Sequence, residues 1–196
     1  MAVKLVKPIN HKKVVKITNQ DFEAKMRELR VNSDIAVAVS GGPDSLALMH
    51  LSNRYALNNN INLTVLSIDH GIRAESSKEI VWLKKVAKKN KINFYSTKLK
   101  KKINSSNTLS KARTLRYEAL SKYCNKKKIK FLLTAHHLDD EIENFLMRLI
   151  RGSGVKGLSS LKVKSRYKNT KLILVRPLLE YSKKSLIQYL SEQKQS

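Results

Sequence analysis

Cysteine is nearly absent from this chain: Cys124 is the only one among 196 residues. An intrachain disulfide, a CxxC redox pair and a zinc knuckle each need more than one thiol, so all three are excluded. No uninterrupted apolar run approaches the roughly 18 residues of a membrane-spanning helix, and MAVKLVKPINHKK at the start lacks the apolar core of a signal peptide. These absences predict a cytoplasmic protein that takes no part in a membrane. Acidic residues are few, 15 against 40 lysines and arginines, which leaves a net charge of +25. Such an excess points to a polyanionic partner, most commonly nucleic acid. The surplus is mainly lysine, and it accompanies abundant asparagine and isoleucine. Drift towards an AT-rich codon supply gives the same signature, so charge alone leaves nucleic-acid binding open. Aromatics make up 6% of the chain and apolar residues 41%, a balance that suits an α/β protein with a real core. No internal repeat is visible.

What is present alternates in type. Residues 1–17 read as a basic, loosely structured arm. Thr18-x-x-Asp21 resembles a capping box and opens a short helix with Phe22, Met26 and Leu29 on one face. DIAVAV at 34–39 is apolar without alternation, the pattern of a strand buried on both sides. Further strands are predicted at 62–69, 92–97, 130–135 and 171–175. Helices are predicted after SGGPDS, over 76–91 (Ile80, Leu83 and Ala87 inward), over 108–125 (Leu109, Ala112, Leu120 and Tyr123 inward) and from Asp139 to Arg151, where Gly152 supplies a left-handed cap. Residues 98–107 and 152–170 read as loops. Ser182 caps a last helix through Leu186, Ile187 and Leu190, and this pattern runs almost to Ser196, as if cut rather than finished. The expected fold is a doubly wound α/β domain: a parallel sheet of about five strands with helices on both faces.

In such folds ligands bind beyond the carboxyl ends of the strands, so the residues after each strand predict the site. The first strand is followed by Ser40-Gly41-Gly42-Pro43-Asp44-Ser45. The glycines permit close backbone approach, the following helix offers free N–H groups to an anion, and the serines add hydroxyls. Neither GxGxxG nor GxxxxGK[ST] is present. Asp44 would repel a bare phosphate, but it is accommodated if a divalent ion such as Mg²⁺ bridges it to phosphates. Asp69-His70-Gly71-Ile72-Arg73 follows the second strand, His136-His137-Leu138-Asp139-Asp140 the fourth, and Arg176-Pro177 the fifth. The histidines and acids at 136–140 suit two readings. They could be metal ligands of a hydrolase, or Asp140 and Glu143, three apart on one helical face, could recognise a cationic substrate. Glu141 fits ordinary stabilisation of a helix start. Arg113 and Arg116 share a face and suit phosphate or nucleotide binding, although a solvated basic face has the same pattern.

Taken together, SGGPDS at 40–45, IDHGIR at 68–73, KARTLRYEAL at 111–120, AHHLDDEIENFLMRLIRGSGVKGL at 135–158 and RPLL at 176–179 resemble the N-type ATP pyrophosphatases with their PP-loop. Within these the chain is most similar to the tRNA(Ile)-lysidine synthetases. That resemblance covers residues 30–195 and implies an adenine-nucleotide α-hydrolase-like fold, with residues 18–196 as the catalytic domain. The implied activity is a ligase reaction on a tRNA(Ile) with a CAU anticodon. ATP adenylates C2 of the wobble cytidine with release of pyrophosphate, and the ε-amine of L-lysine then displaces AMP. ATP and Mg²⁺ are the implied cofactors. Ser40, Gly41, Gly42, Asp44 and Ser45 would hold the pyrophosphate end of Mg-ATP, with Asp44 touching the metal. Ala38, Asp69 and His70 would lie by the adenosine. Arg113 would contact ATP or the activated base. His136, Asp140 and Glu143 would sit beside the lysine amine.

Two departures from that pattern occur, Glu141 where glutamine is frequent and Asn144 where threonine is. Family members also continue into domains that grip tRNA, so the chain is expected to stop before them. Whether it forms a homodimer is open. Two other classes stay in play. One is another PP-loop enzyme acting on tRNA, for example by thiolation, although the single cysteine argues against a thiolase. The other is a non-catalytic nucleotide- or RNA-binding module.

Overall fold

A computed structural model describes residues 15–69, 76–98, 108–150, 152 and 161–194. Several of the expected features lie outside these residues. They are the arm up to residue 14, the His70–Arg73 turn, the basic loop beyond Lys98, and all of the RGSGVKGL segment except Gly152.

Six strands form one sheet among the described residues. In chain order the elements are α1 (Asn19–Glu28), β1 (Ile35–Ala38), α2 (Pro43–Asn58), β2 (Leu63–Asp69), α3 (Ser76–Lys89), β3 (Asn93–Lys98), α4 (Thr108–Lys126), β4 (Phe131–Leu133), α5 (Leu138–Ile150), β5 (Lys164–Arg166), β6 (Ile173–Val175) and α6 (Lys183–Lys194). The sheet order is β3-β2-β1-β4-β6-β5. All pairings are parallel except β5 with β6, which is antiparallel. The doubly wound α/β class is as expected, but β5 adds a sixth strand inside the 152–170 stretch expected to be loop. Lys-Ser-Arg has no apolar signature because β5 is an edge strand, paired on one side only, where charged residues also guard against further pairing.

Alternation along β1 divides the core. Ile35 and Val37 face one layer, with α1, α2, α3 and α6, through Phe22, Met26, Leu48, Leu51, Leu83, Ala87 and Leu186. Ala36 faces the other, where Tyr117, Leu120 and Cys124 of α4 pack on Leu66, Leu132 and Leu174. Both faces of β1 are thus covered, which is why its sequence is apolar throughout. Thr18 caps α1 in a full capping box: its hydroxyl accepts from the Asp21 N–H, and the Asp21 carboxylate accepts from the Thr18 N–H. Ser182 likewise accepts from the Ser185 N–H at the start of α6.

Three segments depart from the expected pattern. Ile17, placed at the end of the arm, is buried in the first core layer. In α6 Tyr189 is buried beside Leu186 while Ile187 is exposed, because the helix meets α2 along the 186/189 line. α5 buries none of its residues, and Ile142, Phe145, Leu146 and Leu149 are exposed. Its anchorage is at its start instead, where the Leu138 N–H donates to the Tyr181 carbonyl and Asp139 accepts from the Lys183 N–H.

Cys124 is fully buried, and burial pushes its thiol up to about 12, far from the thiolate a reagent needs. In native protein at pH 8, Cys124 should therefore resist a thiol-specific chromogenic reagent. Its reaction should appear along the urea unfolding curve, followed by absorbance against circular dichroism.

Candidate functional site

The order of strands reverses at β1, with β2 and β3 on one side and β4, β6 and β5 on the other. A crevice forms where neighbouring parallel strands send their chains in opposite directions. A cavity of about 270 Å³ lies there, lined by the turn after β1 (Ala38, Ser40, Gly42, Asp44, Ser45), the turn after β4 (Thr134, Ala135, His136, His137), Asp140 at the start of α5, and Arg116 and Tyr117 of α4. Leu66, Ile68 and Leu120 add apolar wall.

The turn after β1 is built around an open helix start. Gly41 has φ +92°, a left-handed conformation that glycine takes without penalty. Gly42 is the N-cap of α2 and makes no side-chain capping bond, and Pro43 stands in the first turn with no N–H to satisfy. The first N–H groups of α2 are consequently left to a ligand. Ser45 spends its hydroxyl inside the loop, accepting from the Ser40 N–H at 3.2 Å and donating to the Gly42 carbonyl at 2.9 Å. It shapes the cradle more than it fills it. One oxygen of Asp44, Oδ1, is buried without a hydrogen-bond partner, an arrangement that costs free energy unless something positive or protic meets it.

The turn after β4 joins the acids. His137 is buried, and its ring lies 3.6 Å from Asp44, 3.6 Å from Asp140 and 3.5 Å from Asp139. The Asp140 carboxylate also accepts from the His137 N–H at 2.9 Å. His137 thus fixes the spacing between a carboxylate of the first turn and one of the second, a role that the sequence reading did not give it. Two adjacent histidines after a buried strand were the available signal, but residue spacing could not say which one turns inward. Among the described residues no group of three His, Cys, Asp or Glu side chains is arranged to hold a metal ion, so HHLDD is not by itself a metal cage.

His136 faces the cationic side. Its Nε2 lies 3.4 Å from the Arg113 guanidinium, and its Nδ1 lies 3.0 Å from the Thr134 hydroxyl. Arginine can only donate, so Nε2 accepts and Nδ1 carries the proton towards Thr134. Burial first, and then the Arg113, Arg176 and Arg116 charges, lower the imidazole to about 4, so it is neutral at pH 7. Arg113 and Arg116 both lie against the Tyr117 ring, 5.8 and 5.6 Å from its centroid. Thr134 and Tyr117 are contributors that the sequence reading did not single out. Arg176 is buried and donates to the Lys162 carbonyl and the Ser165 hydroxyl, so it serves the β5–β6 edge.

The cavity therefore gathers Ala38, Ser40, Gly42, Asp44, Ser45, His136 and Asp140, with Gly41 in the same turn and Arg113 joined through His136. Asp69, also expected near the ligand, is buried at the end of β2 within 3.8 Å of Lys98 and does not line the cavity. Glu143 is exposed on α5 and does not line it either. His70 is outside the described residues. Guanidiniums on one side, carboxylates on the other and an open helix start between them suit a ligand with an anionic part and a reaction partner that is cationic.

Residues 11–196 match the PP-loop domain family. The chain belongs to that family. As a PP-loop domain it is an ATP-binding unit. It is 47% identical over 159 residues to a tRNA(Ile)-lysidine synthase of Rickettsia bellii, covering 81% of this chain and 36% of the relative. It is 40% identical over 174 residues to the corresponding protein of Rickettsia typhi, covering 87% of this chain and 40% of the relative. The chain thus spans about two fifths of the length of these relatives. Among solved structures it resembles the U34-tRNA thiolase NcsA of Methanococcus maripaludis with its [4Fe-4S] cluster, at TM-score 0.74 and 23% identity over 89% of this chain and 64% of that one. An NH3-dependent NAD synthetase from Campylobacter jejuni is a more distant neighbour, at TM-score 0.54 and 14% identity over 91% of this chain and 74% of that one. At these identities the two structures share the fold alone with this PP-loop domain. No helix among the described residues is long and apolar enough to cross a membrane.

The neutral state of His136 has a consequence for stability. Its folded value lies below the unfolded value of 6.5, so between pH 6.5 and 4 the unfolded chain binds the extra proton. The contribution, on the order of 1 to 3 kcal/mol, is complete above pH 6.5 and disappears as pH falls through 4. His136→Asn should reduce the steepness of the stability loss in that window, as measured by urea unfolding at a series of pH values.

Proposed function

We propose that this PP-loop domain is the catalytic part of a tRNA(Ile)-lysidine synthetase, which ligates L-lysine to C2 of the wobble cytidine of a CAU-anticodon tRNA at the expense of ATP. The observation that carries the reading is the meeting of the SGGPDS turn and the HHLDD turn on one cavity, with Asp44 and Asp140 held by the same histidine. The curated relatives' names point the same way.

In this reading the open start of α2 and the Ser40–Gly42 backbone bind the β- and γ-phosphates, and Ala38 with the apolar wall receives the adenosine. Asp69 and His70 would act from the second turn. A Mg²⁺ ion fits here only as a shared ion, since Asp44 offers one unpartnered carboxylate oxygen and the remaining ligands would be phosphates and water. Such an ion would neutralise the charge of the leaving pyrophosphate. The cytidine O2 attacks the α-phosphorus, the bond to pyrophosphate breaks, and C2 becomes an adenylated electrophile. Arg113 and Arg116 stabilise the charge on the transferred group. Asp140 attracts the lysine ammonium, with Glu143 one turn further out as a second carboxylate. Neutral His136 lies beside it and adds no competing positive charge. The amine, having lost a proton, attacks C2, and AMP leaves.

The test supplies purified protein with ATP, labelled lysine and an unmodified CAU-anticodon tRNA. ATP-dependent labelling of the tRNA, with stoichiometric AMP and pyrophosphate, is the expected result, and no labelling would overturn the reading. Asp140→Asn should raise the KM for lysine at least tenfold more than that for ATP; equal changes would remove Asp140 from lysine recognition. Asp44→Asn should reduce pyrophosphate release by two orders of magnitude or more with little change in Tm.

A further inference from the structure

We propose that the outward face of α3 is an RNA docking surface on which Trp82 stacks an unpaired base while Lys78 and Lys85 hold the flanking phosphates. This inference rests on the reading of the substrate as a tRNA. The inner side of α3 is ordinary core, with Leu83 and Ala87 buried. The outer side is unlike it. Val81 and Trp82 are exposed, at 56% and 46%, and with Lys78 and Lys85 they line a surface concavity of about 350 Å³. The spacing i, i+3, i+4 and i+7 sets these four side chains on one stripe. Lys84, Lys88 and Lys89 are exposed on the same helix, whose only acid is Glu79. None of these five lysines forms an ion pair among the described residues.

An indole left half in solvent amid free ammonium groups is poorly explained by folding. Burying it inward would gain roughly 1.5–3 kcal/mol, and a helix that needed only solubility would carry a further polar residue there. A π-face bracketed by cations one turn away on either side matches a strand with stacked bases and a charged backbone. The charge selects a polyanion over a second copy of this strongly basic chain. The single indole selects an unpaired base over a duplex, whose bases are already stacked.

The location also fits. α3 follows β2, so it starts at the carboxyl edge of the sheet, the edge that carries the cavity. Leu83 Cδ1 lies 4.0 Å from where a Cβ on Gly41 would sit, so the residue next to Trp82 abuts the PP-loop. A loop of RNA seated on Trp82 is thus within reach of the turn that holds the phosphates of ATP.

Trp82 is the only tryptophan in the chain, so its fluorescence reports on this face alone. Titration with an RNA hairpin bearing a CAU-containing loop should quench the emission saturably. A blunt RNA duplex of matched composition should not. Trp82→Ala should weaken hairpin binding roughly 5- to 100-fold, read by anisotropy of a labelled hairpin. Lys78→Gln and Lys85→Gln should each lower the slope of log affinity against log salt by about 0.7, which tests the surface even if the alanine variant folds poorly. Hairpin binding without quenching, or equal quenching by the duplex, would overturn the proposal. So would emission that shifts with protein concentration in the absence of RNA, which would make the face an interface between copies. The lysine-labelling assay run in parallel separates the two failures: labelling with unquenched Trp82 removes this surface and leaves the enzyme, whereas loss of both removes the reading on which it rests.

Discussion

The parallel pairing of β1 with β4 is the constraint on which the site depends. Ile35 and Val37 stand in register with Phe131 and Leu133, two segments separated by nearly half the chain. Both strands are covered above and below, so neither can carry polar side chains along its length. Polar chemistry is confined to the turns at their carboxyl ends. Because the strands are adjacent and parallel, those two turns share one crevice. Loss of this pairing would leave the SGGPDS turn and the HHLDD turn as unrelated loops.

Within the crevice, charge is sorted. Arg113 and Arg116 lie against the Tyr117 ring, and burial first, with the nearby guanidiniums second, keeps His136 neutral, while Asp44 and Asp140 approach the buried His137 from the other side. A buried carboxylate oxygen without a partner is costly. Both carboxylates are partly exposed and Asp140 accepts from the His137 backbone N–H, but Asp44 Oδ1 is buried and partnerless, the kind of local imbalance that functional sites retain. The geometry suits a site in which an anionic group and a cationic group are held near each other without pairing directly.

Charge is also distributed outside the crevice. α3 presents lysines and an indole outward while its Leu83 packs beside Gly41 of the SGGPDS turn. One helix thereby connects the packing of that turn to a basic surface. α5 does the converse. Asp140 of its first turn lines the cavity, and its apolar residues further along remain at the surface.

The sequence by itself determined the class of fold and the composition of both turns. Uninterrupted apolar runs such as 34–39 mean burial on both faces, and small and acidic residues can follow such strands only at their ends. The capping residues Thr18, Ser182 and Gly152 were legible because a cap is a local hydrogen-bonding arrangement with few suitable side chains. β5 was not legible, since an edge strand of Lys-Ser-Arg takes its pairing from β6 and not from its own pattern. Nor could periodicity tell Tyr189 from Ile187 in α6, because either fits an amphipathic helix until the position of α2 is known. The same limit applies at the site. Spacing put Asp140 and Glu143 on one helical face, but only the docking of α5 by its first turn brought Asp140 to the cavity and left Glu143 in solvent. That His137 turns inward between Asp44 and Asp140, while His136 turns to Arg113, was decided by the tertiary structure alone. Those contacts join residues that are local in neither sequence nor secondary structure.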